Sequence, residues 1–212
     1  MSDAHHRLGS SRSTSGLTSL TDRQTYKNLA YLALAFPLGL AYFVGLTVGL
    51  SLGVGLAVLV IGIPLLVGVL FAARWLAAFE RTLANELLDL DIAAPTDVST
   101  AQNRTLTETV DAYLHADSTW HGVAFCYLKL ALGTVAFTLL VVFIVVPAAF
   151  LTAPAHYQYS TIQLVGWEID TLLEAILVVP IGAVVGVLGI HLLNATADVY
   201  GTIAESLLDG SE

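Results

Sequence analysis

The stretch YLALAFPLGLAYFVGLTVGLSLGVGLAVLVIGIPLLVGVLFAARW, residues 31–75, carries no charge until Arg74. A helix needs about 20 apolar residues to cross a bilayer. This run is about twice that length, so it reads as two spans and a return. Glycine tolerates positive φ, which makes the glycine-rich GLSLGVG of residues 49–55 the expected return. Unbroken helix through it is the alternative reading.

Composition leads to the same solvent. The chain of 212 residues is 56% hydrophobic and 12% charged, against about 25% charge in soluble domains. So few charges cannot solvate a globule of this length, and lipid is the expected surrounding. The first thirty residues hold no apolar core of a signal peptide. Residues 10–19, rich in Ser, Thr and Gly, read as disordered within a tail over 1–24. His5 and His6 are a bare pair in that tail and make no metal site. The single cysteine, Cys126, excludes an intrachain disulfide and reads as a small buried hydrophobe. Net charge is −9, with two lysines against 17 acids. That balance argues against nucleic acid, which needs clustered cations, and against a polybasic anchor. It suits a high-salt, haloarchaeal-like cytoplasm, where screening is strong.

Four spans are expected, over about 29–50, 56–78, 122–150 and 172–193. All six arginines and Lys27 fall before the first span, at the close of the second or between the second and third. By the excess of cations on cytoplasmic flanks, both termini and the 82–118 segment are expected on the cytoplasmic side of the cell membrane. RWLAAFERTLANELLDLD, residues 74–91, continues the second span. Its Leu76, Phe79, Leu83, Leu87 and Leu90 recur at helical spacing, as an amphipathic extension does.

The chain also resembles itself. TYKNLAYLALAFPLGLAYF from Thr25 matches TWHGVAFCYLKLALGTVAF from Thr119, an offset of 94. ANELLD from Ala84 matches AESLLDG from Ala204, and Pro64 pairs with Pro180. The expected architecture is an all-α membrane domain over 25–210. Its two tandem hairpins (25–91 and 119–210, joined by a linker over 92–118) form a parallel repeat and pack as a four-helix bundle.

The first stretch, with the RWLAAFERTLANELL that follows it, resembles the putative sensor domain family. This is a four-span module found N-terminal to some actinobacterial and archaeal histidine kinases. STWHGVAFCYLKLALGTVAF resembles the family's Trp-led third span, and residues 204–210 resemble its exit helix. The resemblance covers about 25–210. It implies a non-enzymatic input module that passes a state to a cytoplasmic transmitter. The 212 residues contain no phosphoacceptor helix and no ATP-binding domain, so the expected output goes to a separate kinase or transcription regulator, or through homo-oligomers.

Few side chains offer chemistry. Lys129 lies in the third span, where a charge is costly and marks a functional site by default; snorkelling to the interface is the ordinary alternative. Glu168, Asp170 and Glu174 gather where the fourth span begins. They read as a cation site or as acids favoured by the helix dipole. Tyr157, Tyr159, Trp167 and His156 stand beside them as pocket walls or interface anchors. His191 and Asn194 suit hydrogen bonds across helices, and His191 a pH switch. His115 and His121 flank the third span. Pro37, Pro64, Pro147 and Pro180 interrupt spans or their ends, as packing devices or hinges. No catalytic triad, phosphate-binding loop or metalloprotease motif occurs, so no catalytic residue, cofactor or metal is expected. A small transporter or channel, with Lys129 and the outer acids on its path, is the second functional class. A structural membrane organiser is the third.

Overall fold

The computed structural model describes residues 22–96, 106–157, 162–164 and 167–210. His5, His6, Arg104 and Tyr159, with most of the N-terminal tail, lie outside the described residues. Six helices are described: α1 (Arg23–Leu56), α2 (Gly62–Leu88), α3 (Leu106–His115), α4 (Asp117–Leu140), α5 (Val146–His156) and α6 (Leu172–Leu208). Four helical runs are long and apolar enough to cross a membrane: Arg23–Leu59, Gly62–Leu88, Asp117–His156 and Leu172–Leu208. Their outward faces remain apolar, with Leu52, Val58, Leu173 and Val184 more than half exposed. Water would penalise such a surface and hydrocarbon would not. The molecule is an all-α, multi-pass membrane protein.

Each boundary has a local cause. Asp22 caps α1, its carboxylate accepting from the Gln24 N–H at 3.0 Å. Between α4 and α5 the helix widens into one π-helical turn, Val141–Val145. Pro147 follows directly; it has no N–H to give and crowds the carbonyl four residues back, and the wider turn relieves both. A two-stranded ribbon, β1 (Ile162–Leu164) and β2 (Trp167–Ile169), joins α5 to α6. It lies in the more polar segment expected between the third and fourth spans, 151–170, whose first residues continue α5 to His156.

The return of the first hairpin differs from the sequence reading. α1 continues through residues 49–55, and the chain turns at 57–61, where Val60 takes a left-handed φ of 64°. The glycines are used for packing instead. A Cβ on Gly49 would lie 2.6 Å from Val69 Cγ2, and one on Gly53 2.5 Å from Leu66 Cδ2. Small residues there let α1 and α2 approach closely, as membrane helices do.

The direction of the second hairpin is also corrected. Along α1, Phe36 stacks on Phe137, Gly39 abuts the Lys129 carbonyl, and Phe43 and Thr47 both meet Tyr127. As numbers rise on α1 they fall on α4, so the two helices are antiparallel. The expected parallel repeat put them in the same direction. The matched contacts follow a two-fold axis across the helices. Gly39 against Lys129 corresponds to Gly133 against Ala35; Gly49 against Val69 to Phe143 against Gly189; Gly53 against Leu66 to Pro147 against Gly186. First helices keep the offset of 94, and second helices follow one of 120, from Ala84 to Ala204. On that offset Pro64 corresponds to Val184, not to Pro180. The glycines change sides: they lie on the first helix of one hairpin and the second helix of the other. Sequence matching is blind to direction, because a buried Gly–Ala face suits either polarity. With α1 and α4 opposed, the two hairpin turns point to opposite ends of the bundle. The two ends of the linker nevertheless lie together, since Thr96 and Asp117 line one cleft.

Candidate functional site

The core between the hairpins is built of small residues, and one charge pair sits among them. On α2 the buried line is Ala73, Ala77, Glu80 and Ala84. Leu76, Leu83 and Leu87 flank it half-buried, and Phe79 turns outward, 40% exposed. On α4 the corresponding face holds Gly122, Phe125, Cys126, Lys129 and Gly133. Gly122 lets α4 settle on Ala77, where a Cβ would come within 2.9 Å. That approach brings two long side chains into one space.

Lys129 Nζ donates to Glu80 Oε2 at 2.8 Å and to the Tyr31 hydroxyl at 3.0 Å. Glu80 Oε1 accepts from the Tyr42 hydroxyl at 2.9 Å. The ammonium also lies 4.1 Å from the Tyr31 ring centroid, a cation–π distance. Lys129 is 1% exposed and Glu80 0%, so Lys129 does not snorkel. An isolated charge in such a place would carry a large desolvation cost. Here every buried side-chain nitrogen and oxygen has a hydrogen-bond partner, which makes the burial tolerable. The four residues come from three helices and from both hairpins, so the pair ties α2 to α4 with α1 as its wall. In the two-fold counterpart, Tyr200 stands for Glu80, Ala35 for Lys129, Phe125 for Tyr31 and Ala136 for Tyr42. Tyr200 is satisfied by the Leu132 carbonyl. The frame is therefore two-fold and the charge is not.

Polar ties at the periphery keep the two-fold pattern. Arg74 donates to Ser118 Oγ at 2.8 Å and Thr119 Oγ1 at 2.7 Å, with its guanidinium over the Tyr113 ring. At the matched position Asn194 donates to Thr25 Oγ1 at 3.1 Å and accepts from Asn28 at 2.9 Å. Past α2, Asn85 caps the turned-back chain at Ile92 in both directions. Gly201 of α6 then packs against Leu88 and Leu90, and Gly210 N–H donates to the Ala93 carbonyl.

The other residues singled out in the sequence are not brought together with this cluster. Glu174 is the partner of Thr171 in a capping box that starts α6, and it also accepts from the Asp170 N–H at 3.1 Å. Asp170 is exposed. Glu168 and Trp167 lie in β2, opposite Gln163 and Leu164. Tyr157 packs half-buried beside Phe150, Ala153, Ala175 and Val178. His191 is exposed on α6, and Asn194 alone of that pair bonds across helices. His115 meets Asp111 on its own helix. Sequence reasoning missed Glu80, Tyr31 and Tyr42. The available signal was an acid inside a small-residue line, Ala73, Ala77, Glu80, Ala84, with one unmatched intramembrane cation elsewhere in the chain.

No curated protein and no solved structure matches the chain. A family model described as "Putative sensor" matches residues 31–208, a stretch that contains most of both hairpins and all four residues of the buried cluster. The chain belongs to that family.

Proposed function

We propose that the protein is a non-catalytic membrane sensor module in which a stimulus shifts one hairpin against the other. The observation that carries this reading is the Lys129–Glu80 pair. It is the one described ion pair between hairpins, and it has no counterpart at the two-fold-related position. A buried pair of this kind holds one arrangement and resists intermediates, because a half-broken pair leaves a bare charge in the core. That is the property a two-state element needs. The stimulus must bind or favour the two states unequally by a few kcal/mol. Output passes from the exit segments, α2 with residues 89–96 and the end of α6, to a cytoplasmic signalling protein or a second copy. Family membership supports the sensor reading and fits a non-enzymatic role.

The test is a cysteine pair at Leu90 and Gly201, which are packed together in this state, in a Cys126→Ser background. Crosslinking yield is expected to change under osmotic or lipid stress. The change should disappear in a chain where Lys129 and Glu80 are replaced together. Yields that stay constant through every stress would remove the reading. One observation favours a second function. Opposed hairpins around a buried charge are also how inverted-repeat transporters are built, and an ion-flux assay in vesicles separates the two.

A further inference from the structure

A cleft of about 230 Å³ opens where α2, the start of α4, the end of α6 and the turned-back segment 89–96 meet. Arg81, Thr96, Asp117, Ser118, His121 and Asp209 supply its polar walls. It lies apart from the buried pair. Glu80 and Arg81 are neighbours in sequence, yet Glu80 faces the core and Arg81 the cleft.

The guanidinium of the cleft, Arg81, is unmatched. Arg81 is half-buried, and among the described residues it has neither a carboxylate partner nor a hydrogen bond, although Asp117 and Asp209 line the same space. Asp209 is engaged through Oδ1, which accepts from the Ala93 N–H at 3.2 Å. Arg74, two turns back on α2, is committed to Ser118, Thr119 and Tyr113, so it cannot serve as the cleft's cation. In a chain with 17 acids and eight basic residues, a half-buried guanidinium without a carboxylate partner beside carboxylates is available to a ligand. A pure anion would meet Arg81 and His121 but face Asp117. A pure cation would meet Asp117 but face Arg81. A molecule with both charges satisfies both walls.

We propose that this cleft binds a small zwitterion, an oxyanion joined to an ammonium group by a short link. Arg81 and His121 hold the oxyanion, in Arg81's case through the planar fork suited to phosphate or carboxylate. Asp117 receives the ammonium, and the Thr96 hydroxyl adds a further hydrogen bond. Phosphoethanolamine has this chemistry, whether as a free solute or as a lipid headgroup. Binding stands on the cleft alone. Only its use as the stimulus rests on the sensor reading, since the walls come from both hairpins.

The experiment uses the full chain in phosphatidylcholine nanodiscs. Titrations with free phosphoethanolamine, inorganic phosphate and ethanolamine are followed by calorimetry, alongside nanodiscs containing phosphatidylethanolamine. Phosphoethanolamine is expected to bind saturably, at least tenfold tighter than either fragment. Arg81→Gln and Asp117→Asn should each weaken it about tenfold or more. Arg23→Gln, outside the cleft, should leave it unchanged, and circular dichroism verifies that each variant is folded. If the free solute binds, the source is soluble. If binding appears only as enrichment of phosphatidylethanolamine, lost in Arg81→Gln, the source is lipid. Equal affinity for inorganic phosphate, or affinity unchanged in both variants, overturns the proposal. A bound zwitterion that leaves Leu90–Gly201 crosslinking unaltered would count against the sensor reading while the site itself stands.

Discussion

Glu80 and Lys129 meet at 2.8 Å across the hairpin interface, each almost wholly shut off from solvent. Removing one partner strands the other. Lys129→Met or Glu80→Gln alone is expected to cost about 3–5 kcal/mol. The double replacement Glu80→Leu with Lys129→Met should recover most of that loss, because apolar residues of similar volume fill such sites well. Thermal unfolding in detergent, arranged as a double-mutant cycle, measures it. Additive single losses would mean that the two side chains do not interact.

Gly39 and Gly133 set the spacing of α1 and α4. A methyl at Gly39 would stand 2.6 Å from the Lys129 carbonyl oxygen, and one at Gly133 2.5 Å from that of Ala35. Backbone cannot yield as a side chain tip does, so Gly39→Ala and Gly133→Ala should each destabilise by about 1–3 kcal/mol. Gly45→Ala, where a Cβ meets nothing within 4 Å, should be neutral or slightly stabilising. Melting temperatures of the three variants provide the check.

The relative direction of the hairpins can be read chemically. With Cys126 replaced by serine, cysteines at Phe36 and Phe137 should crosslink readily, since those rings stack with centroids 5.1 Å apart. Cysteines at Phe43 and Phe137, partners in a parallel register, should not. The reverse result would restore the parallel repeat.

Val60 holds a left-handed backbone, 68% exposed, at the first hairpin's turn. A β-branched side chain is strained there by about 1–2 kcal/mol. Val60→Gly should raise stability by up to about 1 kcal/mol after glycine's greater freedom when unfolded is deducted. Differential scanning calorimetry in detergent decides it; a loss of stability would mean that the turn relaxes in the bilayer.

At the start of α6, Thr171 and Glu174 bond reciprocally. Thr171→Ala should cost about 1 kcal/mol and increase amide exchange in the first turn of α6. Unchanged exchange would show that the ribbon, not the cap, fixes that end.

The sequence shows the four apolar segments plainly, because period and charge survive in any packing. Lys129 is visible for the same reason: one cation in an apolar run has few uses. Glu80 was hidden by its neighbours. The spacing of Leu76, Phe79, Leu83 and Leu87 draws the eye to the bulky face, whereas the tightest contact uses the alanine face, which has little hydrophobic contrast. The glycines of residues 49–55 misled because glycine serves turns and close packing equally well, and only the partner helix decides between them. The polarity of α4 against α1 was illegible in principle. Gly39 and Gly133 make the same contact under either direction until the linker's course is known.

The crossing at Gly39 and Gly133 has backbone against backbone and no side chain between. It can act as a fulcrum. Tilting the Val60 end outward on one arm forces the ribbon end of the other arm to swing the opposite way, as on a see-saw, while the centre barely moves. A device of that shape reports the difference between two pushes and ignores their sum, so a perturbation acting equally at both ends would leave it still.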